Sequence, residues 1–270
     1  MLMPIRFHTF SICMNIVTFT TDFGLKDYYA ANLKGCILSC GIVLTMVDIT
    51  HQVEAYNISQ AAFMLGNTYK AFPKGTVHIL SVNNFYEANP RFLVALHDGH
   101  YFIAADNGVF SLLFETVPEY MYELRHPTDL TVQSLNDLFA QAVAYIFQGK
   151  SFHGIGIATT RRMQRISMQP IIGKSYIRGS VIHIDAFGNV ILNIDRALFE
   201  RVGQGRAFEL FFKRFDPITE LSTKYSDQPF GELLCLFNSS GFLEIAVNTG
   251  QASALFGLLV DDTVQIDFME

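Results

Sequence analysis

Hydrophobic residues in the first part of the chain alternate between short runs and helical spacing. The run Asn15 to Thr21 is apolar and β-branched, Asp27 to Cys40 has apolar positions at helical spacing, and Ile42 to Ile49 is a second apolar run. Asn57 to Phe72 again shows helical spacing and ends at a Pro-Lys-Gly turn before the strand Thr76 to Val82. Strands that alternate with helices predict a parallel sheet covered on both faces.

A hairpin and one more helix follow in the N-terminal part of the chain. Phe92 to His97 and Tyr101 to Ala105 flank Asp98-Gly99, a residue pair that favours a tight turn. Ser134 to Phe147 has the spacing of an amphipathic helix. These elements predict an N-terminal α/β domain over residues 14–165.

The pattern changes in the last hundred residues, which predict a smaller antiparallel domain over residues 170–270. Only one short helix, Asp195 to Val202, is expected there. Short strands at close spacing are typical of a small antiparallel barrel or sandwich. The expected strands are Gly179 to Asp185, Ala207 to Phe212, Leu233 to Phe237, Phe242 to Val247 and Thr263 to Phe268.

Composition and charge exclude several classes of protein. Half of the 270 residues are hydrophobic and 16% are charged, which is incompatible with a disordered chain. The net charge is −6 and the longest basic run is Arg161-Arg162, so nucleic acid is not an expected partner. No apolar run approaches the roughly 18 residues of a membrane span, and no membrane partner is expected.

Two expectations concern the N-terminus and the cellular compartment. We interpret residues 1–13 as a tail or as a start assigned too early, because Met14 immediately precedes a strand-like run. The four cysteines have no spacing typical of a disulfide framework or a metal site, although Cys36 and Cys40 would share a helical face. We therefore expect a reducing, cytoplasmic location and no bound metal.

Several polar residues lie where strands are predicted to end. Asp22 follows the first strand at the sheet edge where ligands bind in α/β folds, so it either accepts hydrogen bonds from a ribose diol or caps the next turn or helix. His51 is either a base or ligand, or a strand-end histidine bonded to backbone. His97 and His100 flank a turn and are expected in solvent. Asp106-Asn107-Gly108 is either a functional loop or an ordinary turn.

The C-terminal half contains two further polar segments. Asp185, Phe187, Gly188 and Asn189 follow one predicted strand, and Asn238-Ser239-Ser240-Gly241 separates two others. Each is either part of a pocket wall or an ordinary turn. The chain has no phosphate-binding GxxxxGK[ST] motif, and Gly154-Ile155-Gly156 lacks both the third glycine and the preceding strand of a dinucleotide site.

The order of these segments resembles one known family, the S-adenosylmethionine (SAM) hydrolases or SAM hydroxide adenosyltransferases, which are related to fluorinase and chlorinase. The resemblance extends from about Met14 to the C-terminus. Each motif is weak alone, and the ordered set is specific. The matching segments are TTDFG at 20–24, Lys34-Gly35, DITH at 48–51, FPKGTVH at 72–78, ADNG at 105–108, IDAFGN at 184–189 with Asn193-Ile194, and NSSGFLEIAVNTG at 238–250.

The resemblance implies a fold class, an assembly and a ligand. It implies an α/β protein with a Rossmann-like N-terminal domain and a β-barrel-like C-terminal domain, assembled as a homotrimer whose sites lie between subunits. SAM would be substrate or ligand, and no separate cofactor is implied. By position, Asp22 would hold the ribose hydroxyls and Asp185 the methionine amino group. The other implied contacts are Asn189 and Phe187 at the adenine and Ser239, with its neighbour Ser240, at the carboxylate.

The catalytic positions depart from the family pattern. The hydrolases have an Asp in a VDPGVGT loop, an Arg just after it and a His that opens an HGRD segment. Here Asn83 and Ser134 stand at the Asp and His positions, whereas Arg91 is near the Arg position and Glu87 is a possible substitute carboxylate. An amide is neither charged nor basic at neutral pH, and losing such a group costs on the order of 10² to 10⁴ in rate.

Three interpretations of this divergence remain open. The protein hydrolyses SAM to adenosine and methionine with a rearranged set of residues, or it binds SAM or adenosine without turnover, or it acts on an altered substrate. The halogenases also have a serine at the position of Ser134, but this chain lacks their inserted loop between Asn83 and Asp106, so halide transfer is disfavoured.

Overall fold

A computed structural model describes residues 14–269 in two compact units divided between Ile166 and Ser167. The interpretation of residues 1–13 lies outside the described residues. Within them, no helix is both long and apolar enough to cross a membrane.

The N-terminal unit is built on one seven-stranded mixed sheet. Its strand order is β2-β1-β3-β5-β4-β6-β7, in which β2, β1, β3 and β5 run parallel and β4, β6 and β7 pair antiparallel. The strands are β1 (Ile16–Thr21), β2 (Thr45–Thr50), β3 (Val77–Ser81), β4 (Phe92–His97), β5 (His100–Ala105), β6 (Tyr120–Glu123) and β7 (Ile157–Ala158). The helices are α1 (Tyr29–Ser39), α2 (Ile58–Gly66), α3 (Val109–Leu113) and α4 (Val132–Phe147).

The central strands are buried because helices cover both faces of this sheet. Phe19 and Ile79 belong to a core cluster that includes Leu33 of α1 and Phe139 of α4. On the opposite face, Leu80 belongs to a second cluster, which includes residues of α2 and α3. Burial on both faces explains why β1 and β3 are nearly continuous apolar or β-branched runs.

The C-terminal unit is an antiparallel sheet with the order β11-β14-β9-β10-β13-β12, to which β8 adds beside β9. The sheet is open between β11 and β12, which makes it a half-barrel around one apolar core. Its strands are β8 (Ile171–Ile172), β9 (Tyr176–Ile184), β10 (Val190–Asp195), β11 (Phe208–Phe212), β12 (Leu233–Phe237), β13 (Phe242–Val247) and β14 (Thr263–Phe268). Its helices are α5 (Arg196–Gly203) and α6 (Ala252–Phe256).

The predicted fold class is confirmed, and some elements differ from the prediction. The segment predicted as one helix over 57–72 is α2, which ends at Gly66, followed by a 3-10 turn at Tyr69–Ala71. The prediction of a single C-terminal helix was wrong because α6 also forms. Helix α3 and strands β6, β7, β8 and β10 were not predicted either. These elements are short, so they contain too few residues for a clear period.

The expectation that His100 lies in solvent was also wrong. His100 is 3% exposed, and its Nδ1 lies 3.2 Å from Nε2 of the buried His78. The other ring nitrogen of His78 is 2.7 Å from the Thr18 hydroxyl, and its ring stacks on Phe102. Burial is the main cause that lowers the pKa of His78 to about 3, so this histidine is neutral in the folded protein.

This buried histidine makes stability depend on pH. The unfolded state takes up a proton at His78 below about pH 6.5, whereas the folded state does not until about pH 3. The stabilisation is therefore complete above pH 6.5 and is lost as pH falls. We expect the free energy of unfolding in urea to drop by about 2 kcal/mol from this group between pH 7 and pH 5.

The control for this measurement is the double variant His78→Phe with Thr18→Val, which keeps a packed ring and removes the titrating group. Its free energy of unfolding should change less between the two pH values than that of the native protein. An equal change in both proteins would contradict the assignment.

Candidate functional site

Asp22 is held at the carboxyl edge of the N-terminal sheet by backbone donors from two other loops. Its Oδ2 accepts hydrogen bonds from Tyr56 N at 3.0 Å and Asn83 N at 3.3 Å. Within residues 14–269, Oδ1 receives no donor. Asp22 does not cap the following helix, because α1 begins after Tyr28. One carboxylate oxygen thus fixes the loop and the other is available to a ligand.

The loop after β3 is held in an unusual backbone conformation. Asn83 has φ 49°, a left-handed value that asparagine tolerates better than most residues. Asn107 Nδ2 donates to the carbonyl oxygens of Val82, at 2.9 Å, and of Asn83, at 3.1 Å. The Asp106-Asn107-Gly108 segment therefore stabilises the backbone that follows the neighbouring strand β3.

Arg91 is bound between two carboxylates. Its Nη1 lies 2.8 Å from Asp106 Oδ2, and its Nε and Nη2 lie 2.9 and 2.8 Å from Glu123 Oε2. Burial alone lowers the pKa of Arg91, but the bond to Glu123 and the charges of both carboxylates outweigh it and raise the pKa. Asp106 Oδ1 also accepts from Met163 N at 2.7 Å. Arg91 is a charged anchor for the ends of β4, β5 and β6. Glu87 is exposed.

Ser134 forms the first turn of α4. Its hydroxyl accepts from Thr131 N at 2.8 Å, and the Thr131 hydroxyl accepts from Ser134 N at 3.1 Å, which together make a reciprocal capping box. Within residues 14–269, no hydrogen bond joins Ser134 to Asn83 or Arg91. The three predicted catalytic residues are thus not linked directly.

In the C-terminal unit, Asp185 organises the loop between β9 and β10. Its Oδ1 accepts from Phe187 N and Asn189 N, both at 2.9 Å, and its Oδ2 accepts from the Asn189 side-chain amide at 3.0 Å. Asn189 is buried, whereas the ring of Phe187 is 75% exposed. The loop therefore carries both an exposed aromatic residue and a carboxylate that is fixed by hydrogen bonds.

The loop between β12 and β13 carries Ser239 and Ser240, which are both exposed. Asn238 Oδ1 accepts from Ser240 N at 3.0 Å and Phe242 N at 3.2 Å. The Asn238 amide in turn donates to Glu244 Oε2 at 3.2 Å. The loop shape is thus fixed by Asn238.

Glu244 is a residue that sequence reasoning missed. It is 2% exposed in the middle of β13, and Oε1 accepts from the Tyr225 hydroxyl at 2.8 Å. Burial raises the pKa of Glu244, although the bonds from Tyr225 and Asn238 act in the opposite direction. The available signal was a carboxylate inside the apolar run Phe242 to Val247.

His51 also differs from expectation. Its side chain does not bond to backbone: Nδ1 lies 2.8 Å from the Thr21 hydroxyl and Nε2 lies 3.1 Å from Asp48 Oδ1. No group of three or more His, Cys, Asp or Glu side chains within residues 14–269 is arranged to hold a metal ion.

Comparison with known proteins identifies the family. The family model for the SAM hydroxide adenosyltransferase N-terminal domain matches residues 17–156, and that for the C-terminal domain matches residues 179–265. The chain therefore belongs to the SAM hydroxide adenosyltransferase family.

Individual relatives match the chain over nearly its whole length. It is 26% identical to the (R)-S-adenosyl-L-methionine hydrolase of Methanocaldococcus jannaschii, over 94% of this chain and 96% of the relative. It is 24% identical to a fluorinase of Nocardia brasiliensis, over 93% and 96%. An uncharacterized conserved protein of Thermotoga maritima has a crystal structure that matches with a TM-score of 0.83 and 27% identity, over 93% of this chain and 99% of that one.

The Arg91 ion pairs predict a stability effect that is independent of any ligand. Arg91→Met leaves Asp106, which is 3% exposed, without its ion-pair partner. We expect the free energy of unfolding to fall by about 3 kcal/mol, because a buried charge loses its partner. Arg91→Met combined with Asp106→Asn and Glu123→Gln should recover part of this loss in urea unfolding. Equal losses in the single and triple variants would contradict the ion-pair explanation.

Proposed function

We propose that the protein binds SAM and hydrolyses it to adenosine and L-methionine. In this reaction the oxygen of water forms a bond to the ribose 5′ carbon and the bond from that carbon to sulfur breaks. The electron pair stays on sulfur, methionine leaves as a neutral thioether, and the water proton passes to solvent. The sulfonium is already a good leaving group, so the main task of the protein is to position the reactants.

The observation that carries this proposal is the geometry of Asp22. Its Oδ2 is held by two backbone N–H groups, and Oδ1 has no donor within residues 14–269. A carboxylate oxygen presented in this way can accept a hydrogen bond from a ribose hydroxyl. The curated relatives named as SAM hydrolases support the same ligand.

The remaining ligand contacts are assigned by position in the family. Asp185 holds the methionine amino group, Ser239 and Ser240 contact the carboxylate, and Asn189 and Phe187 contact the adenine. The exposed ring of Phe187 supports a stacking contact with the base.

For catalysis we assign Asn83, Arg91 and Ser134 to the polar surface around the reacting water. Asn83 and Ser134 are neutral, so they can orient water by hydrogen bonds but cannot act as a strong base. We therefore expect turnover slower than that of a hydrolase with the Asp and His residues, by on the order of 10² to 10⁴.

A second candidate function is binding of SAM or adenosine without turnover. It is favoured by the engagement of Arg91 in two ion pairs and of Ser134 in the helix cap. Both functions use the same protein groups to bind the ligand, so only a measurement of turnover distinguishes them.

We further propose that the protein is a homotrimer that binds the ligand between the N-terminal domain of one subunit and the C-terminal domain of its neighbour. We also propose that it acts in the cytoplasm and needs no separate cofactor. The free thiols of Cys36, Cys40 and Cys235 support a reducing compartment. For a subunit of 30.4 kDa, sedimentation should give a species of about 91 kDa. A stable monomer at assay concentration would contradict the shared site.

The test of the proposed reaction is adenosine formation from SAM, followed by liquid chromatography. The native protein should produce adenosine, and Asp22→Ala should produce none above the blank. Asp22→Asn keeps an oxygen for the two backbone donors but presents an amide N–H₂ to the ribose, so we expect KM to rise by about tenfold or more. Asp98→Asn, the same change in the turn between β4 and β5, is the matched control and should leave turnover unchanged.

Absence of adenosine with native protein that still binds SAM would replace hydrolysis with the binding function. Equal adenosine formation by native protein and Asp22→Ala would identify a contaminating enzyme.

A further inference from the structure

Two sequence motifs without a role in the proposed function, Lys34-Gly35 and DITH at 48–51, meet the TTDFG segment at 20–24 in one chain of polar contacts. Lys34 of α1 lies with Nζ 2.7 Å from both carboxylate oxygens of Asp48. Asp48 Oδ1 is 3.1 Å from His51 Nε2, without the geometry of a linear hydrogen bond. His51 Nδ1 lies 2.8 Å from the Thr21 hydroxyl, and Phe23 N donates to that hydroxyl at 3.3 Å.

The charges in this chain of contacts fix the direction of each bond. Burial alone raises the pKa of Asp48, but the hydrogen bond and charge of Lys34, together with the adjacent His51, outweigh burial and lower the pKa. Burial lowers the pKa of His51, which is 4% exposed, so its imidazole is neutral at neutral pH. The Asp48 carboxylate beside Nε2 favours the proton on that nitrogen, which leaves Nδ1 to accept the hydrogen bond from the Thr21 hydroxyl.

These contacts hold the segment that carries Asp22 on both of its sides. The Thr21 hydroxyl, before Asp22, is bonded to the His51 ring. Gly24 N, after Asp22, donates to the backbone oxygen of His51 at 2.6 Å. The Asp22 side chain makes no hydrogen bond to His51, and its Oδ2 is fixed by Tyr56 N and Asn83 N. The direction of its free oxygen therefore depends on how the Thr21–Gly24 segment is held.

We propose that His51 is a positioning residue for Asp22, which acts through the Thr21 hydroxyl, with Asp48 and Lys34 fixing its tautomer. The inference rests on the proposed function because it takes Asp22 to be a ligand contact. In this proposal His51 is neither a base nor in direct contact with the ligand. The imidazole reaches Asp22 only through Thr21, which is fully buried and precedes Asp22 in the chain.

The test uses a matched pair of substitutions on one strand. Thr21→Val removes the hydroxyl bonded to His51, and Thr18→Val removes the hydroxyl bonded to His78, at 2.7 Å. Both threonines are fully buried in β1, so the two variants lose the same group and leave the same kind of histidine nitrogen without a partner. Calorimetric dissociation constants for SAM and for adenosine, KM, kcat and Tm are measured for the native protein and both variants.

We expect Thr21→Val to weaken the binding of both ligands by about tenfold and to raise KM by a similar factor, with kcat within about threefold. Thr18→Val should bind and turn over SAM like the native protein, although both variants lower Tm to a similar degree. Thr21→Ser restores the hydroxyl and should recover affinity. His51→Asn, which places an amide oxygen near the position of Nδ1, should bind more tightly than His51→Ala.

Equal affinity in Thr21→Val and Thr18→Val would overturn the proposal, because the His51 contact would then be purely structural. Failure of Thr21→Ser to recover affinity would overturn it as well. Binding is measured independently of turnover. If the native protein binds SAM but forms no adenosine, hydrolysis is refuted, and the affinities of the variants still decide whether His51 positions Asp22. A native protein that binds neither SAM nor adenosine would overturn both.

Discussion

One carboxylate oxygen, Asp22 Oδ2, holds together the carboxyl edge of the N-terminal sheet. Two backbone donors, Tyr56 N and Asn83 N, from the loops after β2 and β3 converge on it, and without it the half-buried Asn83 N–H would lose its partner. Asn107 adds a third strand end to the same edge by binding the carbonyl oxygens of Val82 and Asn83. This edge is therefore made of backbone held in place by side chains, and in the proposed function Asp22 is both a support for the edge and a group that binds the ligand.

The three catalytic positions that were assigned by resemblance are used differently from one another. The positive charge of Arg91 is balanced by two carboxylates, and Ser134 belongs to the capping box of α4. Within residues 14–269, the side chain of Asn83 takes part in no such ion pair or helix cap. A site without a free charge at these positions can bind a nucleoside by shape and hydrogen bonds. Such a site gives little help in removing a proton from water. We therefore expect the replacements at these positions to reduce the rate of hydrolysis more than the affinity for the ligand.

Much of the fold was predictable because its signals are local. The buried strand Ile16–Thr21 and the Asp98-Gly99 hairpin follow directly from apolar runs and turn chemistry. His100 was misjudged because burial depends on the partner strand β3 and on Tyr69, which no nearby residue indicates. Asp22 was found from its place at a strand end, whereas Glu244 and the Asp48 to Thr21 contacts join residues from different elements and become visible only in three dimensions.

The Thr131–Ser134 capping box determines how easily the Asp and His residues of the hydrolases could be introduced into this chain. Asn83→Asp replaces one residue that tolerates a left-handed backbone with another. Ser134→His removes the hydroxyl that accepts from Thr131 N, so one of the two bonds of the capping box is lost while the Thr131 side chain still caps the helix. The two positions are therefore not equivalent, because an acidic side chain at 83 fits the backbone as it stands, whereas a histidine at 134 costs the start of α4 one hydrogen bond.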